Sequence, residues 1–119
     1  MFEIFKRLKQ PYDEAQILND GLRLAMAFGD DWLKPIQTRL VRLYPELDMR
    51  ELDEYNNKCQ FVMKAGHDLA YSLGKESGKK ASFNNFRKNL GESFPWINDK
   101  NLKRLFSQGM YYAYKDFGL

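Results

Sequence analysis

Residues 44–74, YPELDMRELDEYNNKCQFVMKAGHDLAYSLG, are the stretch of sequence that decides the fold. Asp48 is a favoured helix N-cap, and Glu51 three residues later completes a capping box. From there on, apolar and small residues recur at alternating intervals of three and four, the spacing of one helix face. This face consists of Leu52, Tyr55, Cys59, Val62, Gly66, Leu69 and Leu73. The sequence therefore predicts a long central helix over about residues 49–73, with Gly74 ending it.

A second face of this helix is also apolar. Phe61 falls on nearly the opposite side from the core stripe, and Tyr71 lies near it. Large apolar side chains on two faces predict that other segments cover the helix from more than one direction.

The segments before the central helix are predicted to be helical as well. Residues 2–9 predict a short arm laid over the core. Residues 12–28 spread apolar side chains over about 200° of a helix, so this helix should be covered on two sides, and Gly29 is its expected end. A further helix should begin at Asp30 or Asp31. Its apolar residues are Trp32, Ile36, Leu40 and Leu43.

The segments after the central helix give a loop and two helices. Residues 74–80, GKESGKK, are the expected loop, and Ser82 is expected to cap a short helix that Gly91 ends. The last helix is predicted over about residues 99–116. Its buried arc should hold Leu105, Phe106, Gly109, Ala113 and Phe117. This arc leaves Tyr111 on the far side of the helix.

An internal repeat links the two halves of the chain. The stretch YPELDMREL at 44–52 aligns with FPWINDKNL at 94–102. In both copies an aromatic residue and a proline end one helix, and an Asx N-cap followed by leucine at N4 starts the next. Each half is thus predicted to be a helical hairpin, with a pseudo-repeat of about residues 33–74 and 83–118.

Gly-x-x-x-Ala pairs recur on the apolar faces of the predicted helices. They are Gly21 with Ala25, Gly66 with Ala70, and Gly109 with Ala113. Such pairs join helices in membranes, but that motif belongs to apolar segments of about 20 residues. In this chain we interpret the small residues as positions where helices cross closely inside the core.

These patterns together predict an all-α fold. A length of 119 residues fits a single domain over residues 1–119. We expect a compact helical bundle of five to six helices, built from two similar helical hairpins around the long central helix. The single cysteine forms no internal disulfide, no apolar run approaches the roughly 20 residues that span a bilayer, and the first residues lack the features of a secretory signal. A cytoplasmic protein is the expectation.

Charge is unevenly distributed along the chain. The net charge is only +3. Residues 44–54 hold five acids and one arginine, net −4, whereas residues 75–104 hold eight bases and three acids, net +5. This uneven distribution is more informative about binding partners than the net charge of the chain.

No catalytic, metal or cofactor site is predicted. Cys59 and His67 are eight residues apart on one helix, which separates them by about 12 Å along its axis, too far for a nucleophile–base pair. Cys59 should be an inert buried thiol, and His67 a partly exposed histidine bonded to a neighbouring helix. The metal motif Glu-x-x-His is excluded because the residue three before His67 is Lys64. A cleft placing His67 beside a carboxylate of another helix would favour an enzyme.

A binding role is the remaining prediction. The last two helices carry basic residues and tyrosines, and Tyr and Arg are enriched in protein interfaces. The candidate binding residues are Lys79, Lys80, Arg87, Lys88, Lys100, Arg104, Tyr111 and Tyr114. The expected partner is another protein or a second copy of the chain, since the acidic stretch of one copy is complementary to the basic stretch of another. The alternative is a nucleic acid on the same basic region, residues 75–104, and an enzyme of unknown chemistry ranks third.

Overall fold

The computed structural model describes residues 13–118. The helices it contains are α1 (Glu14–Ala25), α2 (Gln37–Leu43), α3 (Met49–Ser77), α4 (Phe83–Ser93) and α5 (Asp99–Phe117), with short 3-10 turns at Gly29–Asp31 and Gly78–Lys80. The all-α prediction is confirmed, because the described part of the chain contains helices and no strand. The predicted arm over residues 2–9 lies outside the described residues.

The long helix α3 is the centre of the bundle, and its start is the predicted one. The Glu51 backbone N–H donates to Asp48 Oδ1 at 2.8 Å, and the Asp48 N–H donates to Glu51 Oε1 at 3.1 Å. Helices α1, α2, α4 and α5 all contact α3. The predicted core stripe is buried at Leu52, Cys59, Val62 and Gly66, and half-buried at Tyr55, Leu69 and Leu73. The second face is not covered as expected, because Phe61 is 66% exposed.

The end of α3 lies beyond the predicted one. Gly74 does not stop the helix, which continues to Ser77 and ends at Gly78, where φ is +58°. Gly74 is buried instead, and a Cβ placed on it would lie 2.7 Å from the Cβ of Ala113. Gly74 therefore allows two helices to approach closely. The positive φ that favours glycine at a helix end occurs at Gly78.

Helices α3 and α5 lie side by side and run in the same direction. Gly66 faces Leu105, Ala70 faces Gly109, and Gly74 faces Ala113. A Cβ added to Gly109 would lie 2.5 Å from the Ala70 Cβ and 2.9 Å from the His67 carbonyl oxygen. Gly21 of α1 is equally close to α3, with 2.7 Å between an added Cβ and the Cys59 Sγ. The interpretation of the small residues as close crossings in the core is confirmed.

The connection between α1 and α2 departs most from the sequence prediction. Helix α1 ends at Ala25, well before Gly29, and the predicted helix starting at Asp30 or Asp31 is only a 3-10 turn. Trp32 lies on an irregular segment, and Leu33 has φ of +63°, the one non-glycine residue with positive φ in residues 13–118. Pro35 disfavours helical geometry at the residue before it, so α2 begins only after that proline. This segment presents Phe28 and Leu33 to solvent.

The turns of the two hairpins have nearly the same backbone geometry. Tyr44 has φ −131° and ψ 74°, and Phe94 has φ −134° and ψ 73°. Asp48 and Asn98 then cap α3 and α5 with their side chains. Helix α4 ends at Ser93 beside this turn, so the predicted stop at Gly91 is wrong. Duplication of an ancestral hairpin stays a prediction.

Candidate functional site

The solvent side of α5 carries a continuous stripe of polar and aromatic side chains. At 100° per residue these positions fall within an arc of about 120° and extend about 22 Å along the helix. They are Lys100, Lys103, Arg104, Ser107, Tyr111, Tyr114 and Lys115, and all of them are exposed. We call this set the outer stripe. The opposite side of α5 packs on α3 through Leu105, Gly109 and Ala113, so the core contact fixes which side chains face solvent.

The cations of the outer stripe form no ion pair with any carboxylate in residues 13–118. Within residues 13–118, no carboxylate oxygen lies within 4.0 Å of the side-chain nitrogens of Lys100, Lys103, Arg104 or Lys115. Exposed cations that already have a carboxylate partner lose part of their attraction for an external anion. The cations of the outer stripe therefore keep their full attraction for an external anion.

Phe28 lies beside the stripe and makes a hollow with it. The hollow has a volume of about 470 Å³, with Phe28 and Tyr111 as aromatic walls and Lys103, Arg104 and Ser107 around them. Phe28 is 70% exposed and Tyr111 is 59% exposed. The Phe28 ring also stacks on Trp32 with 5.1 Å between centroids. The hollow thus combines apolar walls with positive charge at its edge.

The predicted binding residues do not form a single patch. Lys100, Arg104, Tyr111 and Tyr114 lie together on the outer stripe. Arg87 is paired with Asp99, with 3.2 Å between its Nη2 and the Asp99 Oδ1. The remaining predicted residues, Lys79, Lys80 and Lys88, are exposed on the 3-10 turn after α3 and on α4.

The position of the 3-10 turn follows from the parallel packing of α3 and α5. Gly66 faces Leu105, so the start of α5 lies beside the middle of α3. Lys79 and Lys80 follow the end of α3, roughly 27 Å farther along the axis than Lys100. Lys79 and Lys80 therefore lie at the opposite end of the bundle from Lys100, at the end that Lys115 also approaches.

A second concave region, which we call the His67 cavity, lies between α3, the end of α5 and the segment before α2. Its volume is about 560 Å³, and its walls include Leu33, Met63, His67, Tyr71, Tyr112 and Asp116. A smaller hollow of about 400 Å³ shares Tyr112 with this cavity and shares Phe28 and Tyr111 with the hollow at the outer stripe. Aromatic side chains therefore line the surface from one region to the other.

His67 is held by a buried glutamine. Its Nε2 lies 2.7 Å from Gln108 Oε1, and Gln108 Nε2 donates to the Met26 carbonyl oxygen at 2.9 Å. The prediction that His67 bonds to a neighbouring helix is confirmed. Burial lowers the pKa of His67 below its usual value, while the Gln108 hydrogen bond and the charge of Asp68 act in the opposite direction. The imidazole is thus biased toward its neutral form.

The rings around His67 form an aromatic cluster. The Trp32 ring centroid lies 6.1 Å from that of His67 and 6.5 Å from that of Tyr112, and the Tyr112 and His67 centroids are 5.9 Å apart. At the edge of the cavity, the Tyr71 hydroxyl donates to Asp116 Oδ2 at 2.7 Å. Sequence reasoning missed Trp32 and Gln108 as site residues. Trp32 lies on the connection between α1 and α2 and Gln108 on α5, and nothing in the local sequence of either indicates a contact with His67.

Among residues 13–118, neither Cys59 nor His67 is hydrogen-bonded to a carboxylate or to the other. Cys59 is fully buried, its thiol donates to the Leu18 carbonyl at 3.5 Å, and burial raises its pKa to about 12. His67 and Asp116 line the same cavity, but His67 bonds to Gln108 whereas Asp116 accepts from Tyr71. In the part of the chain that the structure describes, no group of three or more His, Cys, Asp or Glu residues is placed to hold a metal ion.

Between residues 13 and 118, the helices are too short or too polar to cross a lipid bilayer. Comparison of the chain with protein-family models, with curated proteins and with solved structures gives no match in any of the three. Function must then be argued from the side chains of the two surface regions, since a fold alone does not specify it.

Proposed function

We propose that this is a non-enzymatic binding protein that docks an acidic segment of another protein on the outer stripe. The observation that supports this most is the hollow between Phe28 and Tyr111, bordered by Lys103 and Arg104. An aromatic or aliphatic side chain of the partner enters the hollow, and acidic residues on either side of it meet the cations of the stripe. A cytoplasmic location stays a prediction.

The proposal follows from how protein interfaces are built. Interfaces have an apolar centre with aromatic residues and arginine, surrounded by a polar rim. Phe28 and Tyr111 provide exposed aromatic area at the centre, while Lys100 and Lys115 lie toward the two ends of the stripe. Large exposed aromatic groups that adjoin one another are typical of interaction sites.

Self-association through the acidic stretch 44–54 is less supported than a different partner. Asp48 and Glu51 are engaged in the cap of α3, Asp53 accepts a hydrogen bond from Gln37 at 3.1 Å, and Glu54 lies 3.9 Å from Arg50. These carboxylates already have contacts within the chain. A homodimer is therefore one outcome of the test, and a concentration-dependent mass in solution would reveal it.

Nucleic acid is the alternative occupant of the stripe. Phe28 and Tyr111 are able to stack on a base, and the neighbouring cations are able to bind phosphates. Against it, Lys79 and Lys80 lie roughly 27 Å along the axis from Lys100, and Arg87 is paired with Asp99. Within residues 13–118, part of the predicted basic region is thus either distant from the Lys100 end of the stripe or already paired.

The two occupants are distinguished by fluorescence anisotropy with defined probes. One probe is a short labelled peptide rich in Asp and Glu with a single Phe, a second replaces that Phe with Ala, and a third is a labelled single-stranded oligonucleotide. We expect the Phe peptide to bind best and to retain binding at raised salt, because part of its affinity comes from apolar contact. Tighter binding of the oligonucleotide, with a steep loss at high salt, would replace this proposal with the nucleic-acid alternative.

Substitutions on the stripe test which face is used. Tyr111→Ala and Arg104→Ala should each weaken binding of the Phe peptide about tenfold or more, the size of effect typical of an interface anchor. Phe61→Ala and Arg50→Ala remove exposed residues of similar chemistry from α3 and serve as matched controls. If Tyr111→Ala and Arg104→Ala both leave peptide affinity unchanged, the assignment of this face is wrong.

A further inference from the structure

The His67 cavity is lined by different residues from the hollow at the outer stripe. It lies on the α3 side of Tyr112, and its volume of about 560 Å³ is in the range of small-molecule sites, which is about 300–1,000 Å³. Tyr71, Tyr112 and Met63 supply aromatic and apolar walls. The polar groups of the cavity decide what kind of molecule it would accept.

The hydrogen bonds of Gln108 determine which nitrogen of His67 carries the proton. Gln108 is 5% exposed, and its amide nitrogen donates a hydrogen bond to the Met26 carbonyl oxygen. Its amide oxygen therefore faces His67 Nε2 at 2.7 Å. An amide oxygen only accepts hydrogen bonds, so Nε2 must be the protonated nitrogen of the neutral ring. His67 Nδ1 is then left with a free lone pair.

This Nδ1 reaches solvent, and His67 lines the cavity. Within residues 13–118 it has no hydrogen-bond partner. In the same range, every side-chain N or O atom that is buried in a residue not itself exposed has a partner. Because His67 is only partly exposed and its Nδ1 has none, Nδ1 must reach solvent, and the cavity is the concave space that His67 lines.

The charged groups of the cavity add two acceptors and one donor, while the amide of Gln60 and the hydroxyls of Tyr71 and Tyr112 can both donate and accept. Asp68 and Asp116 contribute carboxylates to its walls. Lys64 is the cation on the wall, and its Nζ lies 3.3 Å from Asp68 Oδ2. A ligand with acceptors alone would leave His67 Nδ1 without a donor, and a negatively charged ligand would meet two carboxylates and only one cation.

We infer that the His67 cavity binds a small planar aromatic molecule that carries N–H donors. One N–H donates to His67 Nδ1, and the ring packs against Tyr112. A positive charge on the ligand is favoured because the walls hold two carboxylates, Asp68 and Asp116, and one cation, Lys64. This inference is independent of the outer stripe, since it uses neither Arg104 nor Tyr111.

Benzamidine is a suitable probe because it joins one aromatic ring to a cationic group of N–H donors. Benzoate has the same size and shape but offers only acceptors and a negative charge. His67 is the only histidine, so its ring nitrogen signals are unambiguous in a nitrogen NMR spectrum of the labelled protein. We expect benzamidine to shift the Nδ1 signal saturably, in the direction of a nitrogen that accepts a hydrogen bond, and benzoate to leave it unchanged.

Variants separate the role of Nδ1 from that of the cavity shape. His67→Phe keeps a ring and removes Nδ1, and should weaken benzamidine binding at least about tenfold, the scale of one lost hydrogen bond to a charged group. Asp116→Asn changes an exposed side chain, so the variant should fold as the unchanged protein does. Its affinity for benzamidine should be several-fold lower. Arg104→Ala is the control and should bind benzamidine as the unchanged protein does.

Three results would overturn the inference. They are the absence of saturable benzamidine binding, equal shifts with benzoate, and full benzamidine affinity in both His67→Phe and Asp116→Asn. None of these results bears on peptide binding at the outer stripe, so the two proposals succeed or fail separately.

Discussion

His67 illustrates how one side chain depends on a partner that the sequence does not reveal. Its place at the margin of the α3 stripe predicts a half-exposed histidine bonded to a neighbouring helix, and the structure confirms this. The identity of the partner was beyond prediction, because Gln108 lies 41 residues away and glutamine is usually exposed. The contact depends on the register of α5 along α3, which only the tertiary packing sets.

The environment of His67 predicts how stability responds to pH. Burial lowers its pKa in the native state below the ordinary value near 6.5. Near that pH the unfolded chain therefore binds more protons than the native chain, and the free energy of unfolding should fall as pH drops through about 6.5. The loss should level off once the native imidazole is itself protonated. Above about pH 7.5, where both states are neutral, His67 should contribute no pH dependence.

Urea unfolding of the protein and of His67→Phe at about pH 7.5 and 5.5 measures this contribution. The difference in unfolding free energy between the two pH values should be smaller in His67→Phe than in the unchanged protein. His67→Gln, which keeps a polar side chain, should behave like His67→Phe. An identical pH dependence in all three proteins would mean that His67 is not held in its neutral form.

At the scale of helices, start signals were more reliable than stop signals. Asp48 and Asn98 cap α3 and α5 where the sequence predicts, because a capping side chain contacts the backbone only a few residues away. Glycines were misjudged as helix ends at Gly74 and Gly91. A glycine also serves where two helices approach closely, and that use depends on a partner helix distant in sequence. The same limit applies to Trp32, which local periodicity placed on a helix.

Substitution of two helical glycines by alanine tests the close contact between α3 and α5, because only one of the two lies in that contact. Gly109→Ala should lower the free energy of unfolding by about 1–3 kcal/mol, because its Cβ would lie 2.5 Å from the Ala70 Cβ and 2.9 Å from the His67 carbonyl oxygen. Gly91→Ala meets no atom within 4 Å and should raise it, by up to about 1 kcal/mol, through better helix propensity. Denaturant unfolding of both variants checks the pair.

Gly91→Ala is the matched control, since both substitutions make the same chemical change in a helix. If Gly109→Ala proved as stable as the unchanged protein, α3 and α5 would be farther apart than the structure places them. A destabilised Gly91→Ala would instead show that α4 has a close neighbour at that position.

At the scale of the whole molecule, the sequence predicts much of the bundle and part of the binding surface. Lys100, Arg104, Tyr111 and Tyr114 share a face because they lie on one helix, where periodicity alone determines the direction of each side chain. The approach of Phe28 to that face was not predicted, since it requires the turn after α1 to meet α5. The distance of Lys79 and Lys80 from Lys100 was missed for a related reason, the parallel alignment of α3 with α5.

The most direct test of the proposed function is a map of amide NMR shifts while the acidic Phe peptide is added to the labelled protein. We expect the largest changes along the outer stripe, from Lys100 to Lys115, and at Phe28. Small changes are expected at Lys79, Lys80 and α4. Shifts centred on Lys79 and Lys80, or shifts of similar size near every exposed cation, would contradict a docking site built around Phe28 and Tyr111.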